Sequence, residues 1–258
     1  IPPGVTHVVF GFSLVGSDGR AAAAFQNTDV EIQGCVKALH RRCIAALGSI
    51  GGSTNNDAIA NVTDAEAFAS SAVTLVEAFD LDGIDIDDET TGSQFNATRV
   101  VAFVKATRAA LDAKDKTLLL TYDAYFTEGD SSLCANPAYA SYSRCFPATL
   151  LESLDWVNIM AYNVDKDPTA AAAVYESALN TTLAAWKTQL KGDFTKATIG
   201  LCVDASCAYG PGPSASVIES WNAFARAPGQ GGGMMVYAAS GEVATGFNVT
   251  RSVVSRQA

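Results

Sequence analysis

The stretch D-L-D-G-I-D-I-D-D-E-T-T-G, residues 80–92, places six carboxylates within ten positions: Asp80, Asp82, Asp85, Asp87, Asp88 and Glu89. Like charges that close repel one another. A fold keeps them together only where water, a cation, a shared proton or a reaction separates them. The centre of the stretch, G-I-D-I-D, alternates isoleucine with aspartate, the two-residue period of a strand. Side chains on a strand alternate faces, so Asp85, Asp87 and Glu89 share one face at spacings of roughly 6.5–7 Å. Ile84 and Ile86 occupy the other.

Working outward, short β-branched or apolar runs alternate with longer segments of helical period. Strands are expected over residues 6–12, 43–52, 83–87, 117–122, 156–162, 197–203 and 232–239. Between them the pattern predicts helices over 29–40, from a Thr63-Asp64-Ala65-Glu66 capping box to about 79, and over 94–112. Asp167-Pro168 supplies a cap and a first-turn proline, starting a helical stretch to about Leu190. A helix over 213–226 and a weak terminal helix complete the series. Strands apolar on both faces, joined through helices, imply a parallel sheet. Seven strands are counted where a closed (β/α)8 barrel needs eight. An open, doubly wound sheet is the alternative.

With 48% apolar and 17% charged residues, the chain describes a compact protein with a substantial core. No run approaches the roughly 18 apolar residues of a membrane span. A net charge of −10 argues against nucleic acid or anionic lipid as partners, since both attract basic surfaces. The chain starts Ile1-Pro2-Pro3, as a processed or trimmed sequence would. Its six cysteines fall in sequence-near pairs, Cys35/Cys43, Cys134/Cys145 and Cys202/Cys207, each of which would close a small loop. None has metal-type spacing. Four N-x-S/T sequons stand at Asn61, Asn96, Asn180 and Asn248. Together these favour a secreted, disulfide-bonded glycoprotein.

Several readings of the acidic stretch compete. A calcium loop counted from Asp85 would need glycine at position 6 and glutamate at position 12, where Thr90 and Asn96 stand. A magnesium phosphohydrolase would want a threonine where Glu89 stands, and a phosphate-cradling glycine loop that does not follow. A solvated acidic loop fits poorly with carboxylates alternating with isoleucines. Acid catalysis fits best: stacked carboxylates raise the pKa of one of their number, so that it stays an acid near neutrality.

D-G-I-D-I-D-D-E also resembles the fourth-strand signature D-G-x-D-x-D-x-E of family 18 glycoside hydrolases, which include chitinases, endo-β-N-acetylglucosaminidases and inactive lectin-like relatives. Other segments agree in order. T-H-V-V-F-G-F is similar to the family's second strand, S-I-G-G (residues 49–52) to its third, M-A-Y-N (160–163) to its sixth and G-G-M-M-V-Y (232–237) to its eighth. The resemblance implies an α/β fold, a (β/α)8 TIM barrel lacking or trimmed of its first strand, with residues 1–258 as one catalytic domain. It implies hydrolysis of β-1,4 linkages after N-acetylglucosamine with retention, using the substrate's own acetamide instead of an enzymic nucleophile. Glu89 would be the acid and later the base. Asp87 would hold the acetamide N–H and stabilise the cationic intermediate, Asp85 would share a proton with Asp87, and Tyr162 would donate its hydroxyl. Asn163, Tyr237, Tyr122 and Phe12 are candidate sugar contacts, the last two equally well accounted for by packing. No cofactor or metal is expected, and the partner would be an N-acetylglucosamine-containing oligo- or polysaccharide. Asp82, out of phase with the row, is expected to brace the turn before the strand.

Two positions depart from the chitinase pattern. Asp88 stands where an apolar residue usually faces the helices, which resembles the endo-β-N-acetylglucosaminidase branch. Tyr237 stands where a tryptophan usually floors the sugar site. Three functions therefore stay open: a chitinase-like hydrolase, an endoglycosidase acting on N-glycans, and a non-catalytic glycan-binding or structural relative. Trp156, Trp186 and Trp221 are expected in the core.

Overall fold

The computed structural model describes residues 1–136, 144–203, 207–208 and 210–254. They fall into two compact units, one of residues 6–123 with 140–155, the other of residues 1–5, 124–139 and 156–258.

The first unit carries the amino-terminal strands. These are β1 (His7–Val15), β2 (Ala21–Ala23), β3 (Ala45–Gly51), β4 (Gly83–Asp87) and β5 (Leu119–Tyr125), in the order β2-β1-β3-β4-β5. The pairs β1–β3, β3–β4 and β4–β5 are parallel, while β2 is a short antiparallel addition that the sequence pattern did not announce. Its helices are α1 (Asp29–His40), α2 (Asn56–Ala60), α3 (Ala65–Phe79) and α4 (Ala97–Lys114). The capping box expected at Thr63 is replaced by a one-residue shift: Asp64 is the N-cap and accepts from the Ala67 N–H at 2.9 Å. A carboxylate there also meets the positive end of the helix dipole. A reciprocal capping box does form one helix earlier, between Thr28 and Glu31.

The helices pack where their apolar stripes meet. Phe68 of α3 and Phe103 of α4 lie 5.0 Å apart between ring centroids, both buried. Phe79 meets Phe25 edge-on at 5.4 Å. Each such side chain contributes about 1.5–3 kcal/mol by burial. At the start of β4, Asp82 Oδ2 accepts from the Ala46 N–H at 2.7 Å, and the His40 imidazole lies 2.9 Å from the same oxygen. Asp82 thus ties β4 to β3 and to the end of α1, the bracing role its phase implies.

The second unit holds α5 (Ser131–Cys134), β6 (Trp156–Met160), α6 (Pro168–Ser177), α7 (Thr182–Gln189), β7 (Ala197–Cys202), α8 (Ala215–Arg226), β8 (Met234–Tyr237) and α9 (Asn248–Val254). β6–β7 and β7–β8 are parallel. Asp167 caps α6 and Pro168 opens it, as the dipeptide predicts. The helical stretch expected to reach about Leu190 is present and is divided around residues 178–181, where Asn180, Thr181 and Thr182 are poor helix formers. Trp186 and Trp221 are fully buried, and the Trp186 indole N–H donates to the Phe126 carbonyl at 2.8 Å. Among the described residues no helix is long and apolar enough to cross a membrane.

The cysteines divide differently from the expectation. Cys202 and Cys207 form a disulfide, and Cys134 and Cys145 are likewise disulfide-bonded. Cys35 and Cys43 are free, exposed thiols. Cys35 lies inside α1, and Cys43 follows the turn beyond the helix end. All four sequon asparagines are exposed.

Candidate active site

The acid row sits on β4 and the two residues that follow it. Because β3, β4 and β5 are in parallel register, Ser49, Asp85 and Thr121 stand side by side. The Ser49 hydroxyl donates to Asp85 Oδ2 at 2.7 Å and the Thr121 hydroxyl to Asp85 Oδ1 at 2.5 Å. Asp85 is buried, and both its oxygens accept hydrogen bonds, as a carboxylate withdrawn from water requires.

One layer up, Asp87 pairs in register with Gly51. Gly51 takes φ +123°, and a β-carbon there would lie 2.1 Å from the Asp87 carbonyl oxygen. Only glycine lets β3 pass this close to the end of β4. The next residue, Gly52, donates its N–H to that same carbonyl at 2.9 Å. The ring of Phe12 lies over Gly52, 3.4 Å from where a β-carbon would stand. The S-I-G-G segment is therefore a strand end shaped to hold the carbonyl of Asp87.

The Asp87 side chain is buried, and burial is the main reason its carboxyl is held well above the usual range; the neighbouring Glu89 and Asp85 charges push the same way and Arg144 opposes them. Among the described residues Asp87 Oδ1 has no hydrogen-bond partner. Burial and the neighbouring carboxylates thus favour the protonated form of Asp87. Glu89, half-buried, follows two residues beyond the strand.

Asp88, the departure from the chitinase pattern, is completely buried. Its Oδ1 accepts from the Thr90 N–H at 2.9 Å and lies 3.8 Å from Arg144 Nη1. Arg144 is buried too, with its guanidinium 5.1 Å from the Phe95 ring centroid. The apolar residue usual at this position is replaced by a buried ion pair. Sequence reasoning missed Arg144, and no local signal marks it, since 56 positions separate it from Asp88. Ser49 and Thr121 were also not assigned, although S-x-G-G contains the first.

Tyr122 lies away from the row. Its register partner is Ile86, on the face opposite Asp85 and Thr121. It is fully enclosed, edge-on to Phe146 at 6.3 Å, and its hydroxyl accepts from Arg144 Nη2 at 3.3 Å. That is a packing position behind the strand, not a sugar contact.

Tyr162, Asn163 and Tyr237 belong to the second unit. The rings of Tyr162 and Tyr237 stack at 5.9 Å between centroids with planes 8° apart, and Tyr237 is 38% exposed. Asn163 takes a left-handed conformation, φ +55°, and its Oδ1 accepts from the Ala208 N–H at 2.9 Å. An amide oxygen thereby fixes the chain just past the Cys202–Cys207 disulfide. Among the described residues no group of three or more His, Cys, Asp or Glu side chains is placed to hold a metal ion.

In fold the chain is similar to a class V chitinase from Nicotiana tobaccum solved in complex with NAG4 (TM-score 0.75, 15% identity, 97% of this chain and 91% of that one). It is also similar to a chitinase from Rhizomucor miehei (TM-score 0.73, 17% identity, 96% and 92%). A chitinase-like agglutinin from Robinia pseudoacacia is a further structural match (TM-score 0.60, 19% identity, 76% and 63%). At these identities the likeness shows the fold, which is the (β/α)8-barrel type that the strand–helix alternation and the motifs imply. The chain belongs to glycosyl hydrolase family 18, whose signature matches residues 1–207. In sequence it is 30% identical over 185 residues to Endochitinase 1 of Metarhizium anisopliae and equally to Chitinase 1 of Aphanocladium album. In both cases 62% of this chain is covered, and the chain spans 42% of the relative's length.

Proposed function

We propose that this chain is a chitinase-like glycoside hydrolase acting on β-1,4-linked N-acetylglucosamine oligomers, with retention and with the substrate's acetamide as nucleophile. The observation that carries the proposal is the buried Asp87, its carboxyl pushed above the usual range and its Oδ1 unpaired, between the doubly held Asp85 and the more accessible Glu89. Glu89 gives its proton to the glycosidic oxygen as the bond to the anomeric carbon breaks and the acetamide oxygen closes on that carbon. Asp87 accepts from the acetamide N–H through its unpaired oxygen, and the one negative charge that Asp85 and Asp87 keep by sharing a proton offsets the positive charge of the cyclic intermediate. Water then adds to the anomeric carbon, Glu89 takes its proton, and the acetamide is released. The sugar-facing roles of Tyr162, Asn163 and Tyr237 rest on the family resemblance alone.

The test is product mass spectrometry after incubation with chitin oligosaccharides and, in parallel, with a high-mannose glycoprotein. Shortened oligosaccharides support the proposal. Glycan release that leaves one sugar on the protein would move the activity to the endoglycosidase branch. Intact substrates with retained glycan binding would make the chain a binding protein, the activity implied by the name of the agglutinin match. We further propose an extracellular setting, supported by the Cys202–Cys207 bridge and the four exposed sequons.

A further inference from the structure

The β-ladder ends at Asp87, and Glu89 follows the strand by two residues. Arg144 holds the main chain at this point. Its Nη1 donates to the Asp88 carbonyl at 2.5 Å and to the Thr90 carbonyl at 2.9 Å, the two carbonyls that flank Glu89. Nη2 reaches the Tyr122 hydroxyl at 3.3 Å, and the rings of Phe95 and Tyr122 lie 5.1 and 6.0 Å from the guanidinium carbon. Asp88 is the counter-ion at 3.8 Å, and its second contact, to the Thr90 N–H, tightens the same turn. A guanidinium with no exposed surface is a costly way to fill space, since an apolar side chain packs behind a strand without desolvating a charge. What an apolar residue cannot do is clamp two carbonyls at once.

We infer that Arg144 is a positioning residue for Glu89: it clasps the main chain on both sides of the catalytic acid and, with Asp88 as its buried counter-ion, sets where the Glu89 carboxyl is presented. The inference rests on the proposed role of Glu89 as the acid. It also gives Asp88 a reason to be acidic that involves no substrate. A second consequence is electrostatic. Arg144 is the cation that works against proton retention by Asp87, so its loss lets Asp87 hold its proton to higher pH.

The experiment compares the wild-type chain with Arg144→Met, Arg144→Lys and the double variant Asp88→Asn/Arg144→Met, which removes both buried charges and so avoids leaving an unpaired one. Each is measured for kcat and KM on chitin oligosaccharides across pH, and for hydrogen–deuterium exchange over residues 86–92. The expected result for Arg144→Met and the double variant is a kcat at least 10-fold lower with KM changed less than 3-fold. The pH profile of kcat should move upward in Arg144→Met, and exchange should be faster at residues 88–91. Arg144→Lys keeps the charge and should keep the pH profile while recovering part of kcat. A purely structural role would lower thermal stability and leave kcat per folded molecule and the pH profile unmoved; that result overturns the inference. Exchange is read whether or not the wild type turns over. A wild type that cleaves no oligosaccharide would defeat the proposed function, whereas unchanged exchange at 88–91 in a folded Arg144→Met would defeat the clasp.

Discussion

The hydroxyl of Thr121 donates to Asp85 Oδ1 at 2.5 Å, from the strand on one side of the acid row, while Ser49 holds the other oxygen from the strand on the opposite side. Asp85 therefore lies beneath Asp87 with both oxygens held, and the hydroxyls are what make its carboxyl tolerable in a buried layer. Replacing Thr121 by valine keeps the shape and removes the donor. A hydrogen bond to a buried charge contributes about 1.5–3 kcal/mol, so Thr121→Val should unfold at lower denaturant with an unchanged m-value. Equilibrium urea unfolding checks this, and stability equal to wild type would show that the bond carries no weight.

Glu89 reaches further toward solvent than the aspartates below it, as the proposed role of acid requires. Glu89→Gln preserves size and hydrogen bonding but cannot give up or regain a proton. Turnover of chitin oligosaccharides should drop by about 10²-fold or more, the range general acids supply, with oligosaccharide affinity within a few-fold of wild type. Calorimetric titration beside a turnover assay reads both, and hydrolysis at the wild-type rate would end the assignment.

Asp87 ties stability to pH in a defined direction. The folded chain holds this proton to a higher pH than the unfolded chain does, chiefly because the site is buried. Between the unfolded value, near pH 4, and the raised folded value, the folded state binds the extra proton. Its stability therefore falls as pH rises through that window. Asp87→Asn carries no titrating group and should flatten this part of the curve, melting above wild type at pH 7 and close to it at pH 4. Thermal melts of the two proteins across pH 4–8 make the comparison, and parallel curves would refute it.

The cysteine state is open to counting. Cys35 and Cys43 are free and exposed, while Cys134, Cys145, Cys202 and Cys207 are bridged. Alkylation of the native protein should add two labels, and reduction should expose four more. Labels found at Cys202 or Cys207 before reduction would contradict the bridge.

What could be read from the sequence alone was local. The isoleucine–aspartate alternation decides that 83–87 is a strand, because the period of side-chain direction is a property of the backbone itself. The Asp167-Pro168 cap and the Phe68/Phe79 stripe of α3 are legible for the same reason: each is made by residues within a few positions of one another. The signature D-G-I-D-I-D-D-E named the family and the acid row together. Only the tertiary structure decided what surrounds that row. Ser49 and Thr121 each lie 36 positions from Asp85, and Arg144 lies 56 from Asp88; strand register brings the first two into contact, and the packing behind the strand brings the third. The same register turned Tyr122 away from the acids, and only the folded structure shows Cys35 and Cys43 as free thiols. Periodicity and capping are set by the nearest neighbours along the chain. Which donor meets a buried carboxylate is set by which strands lie side by side, and that is a property of the folded sheet.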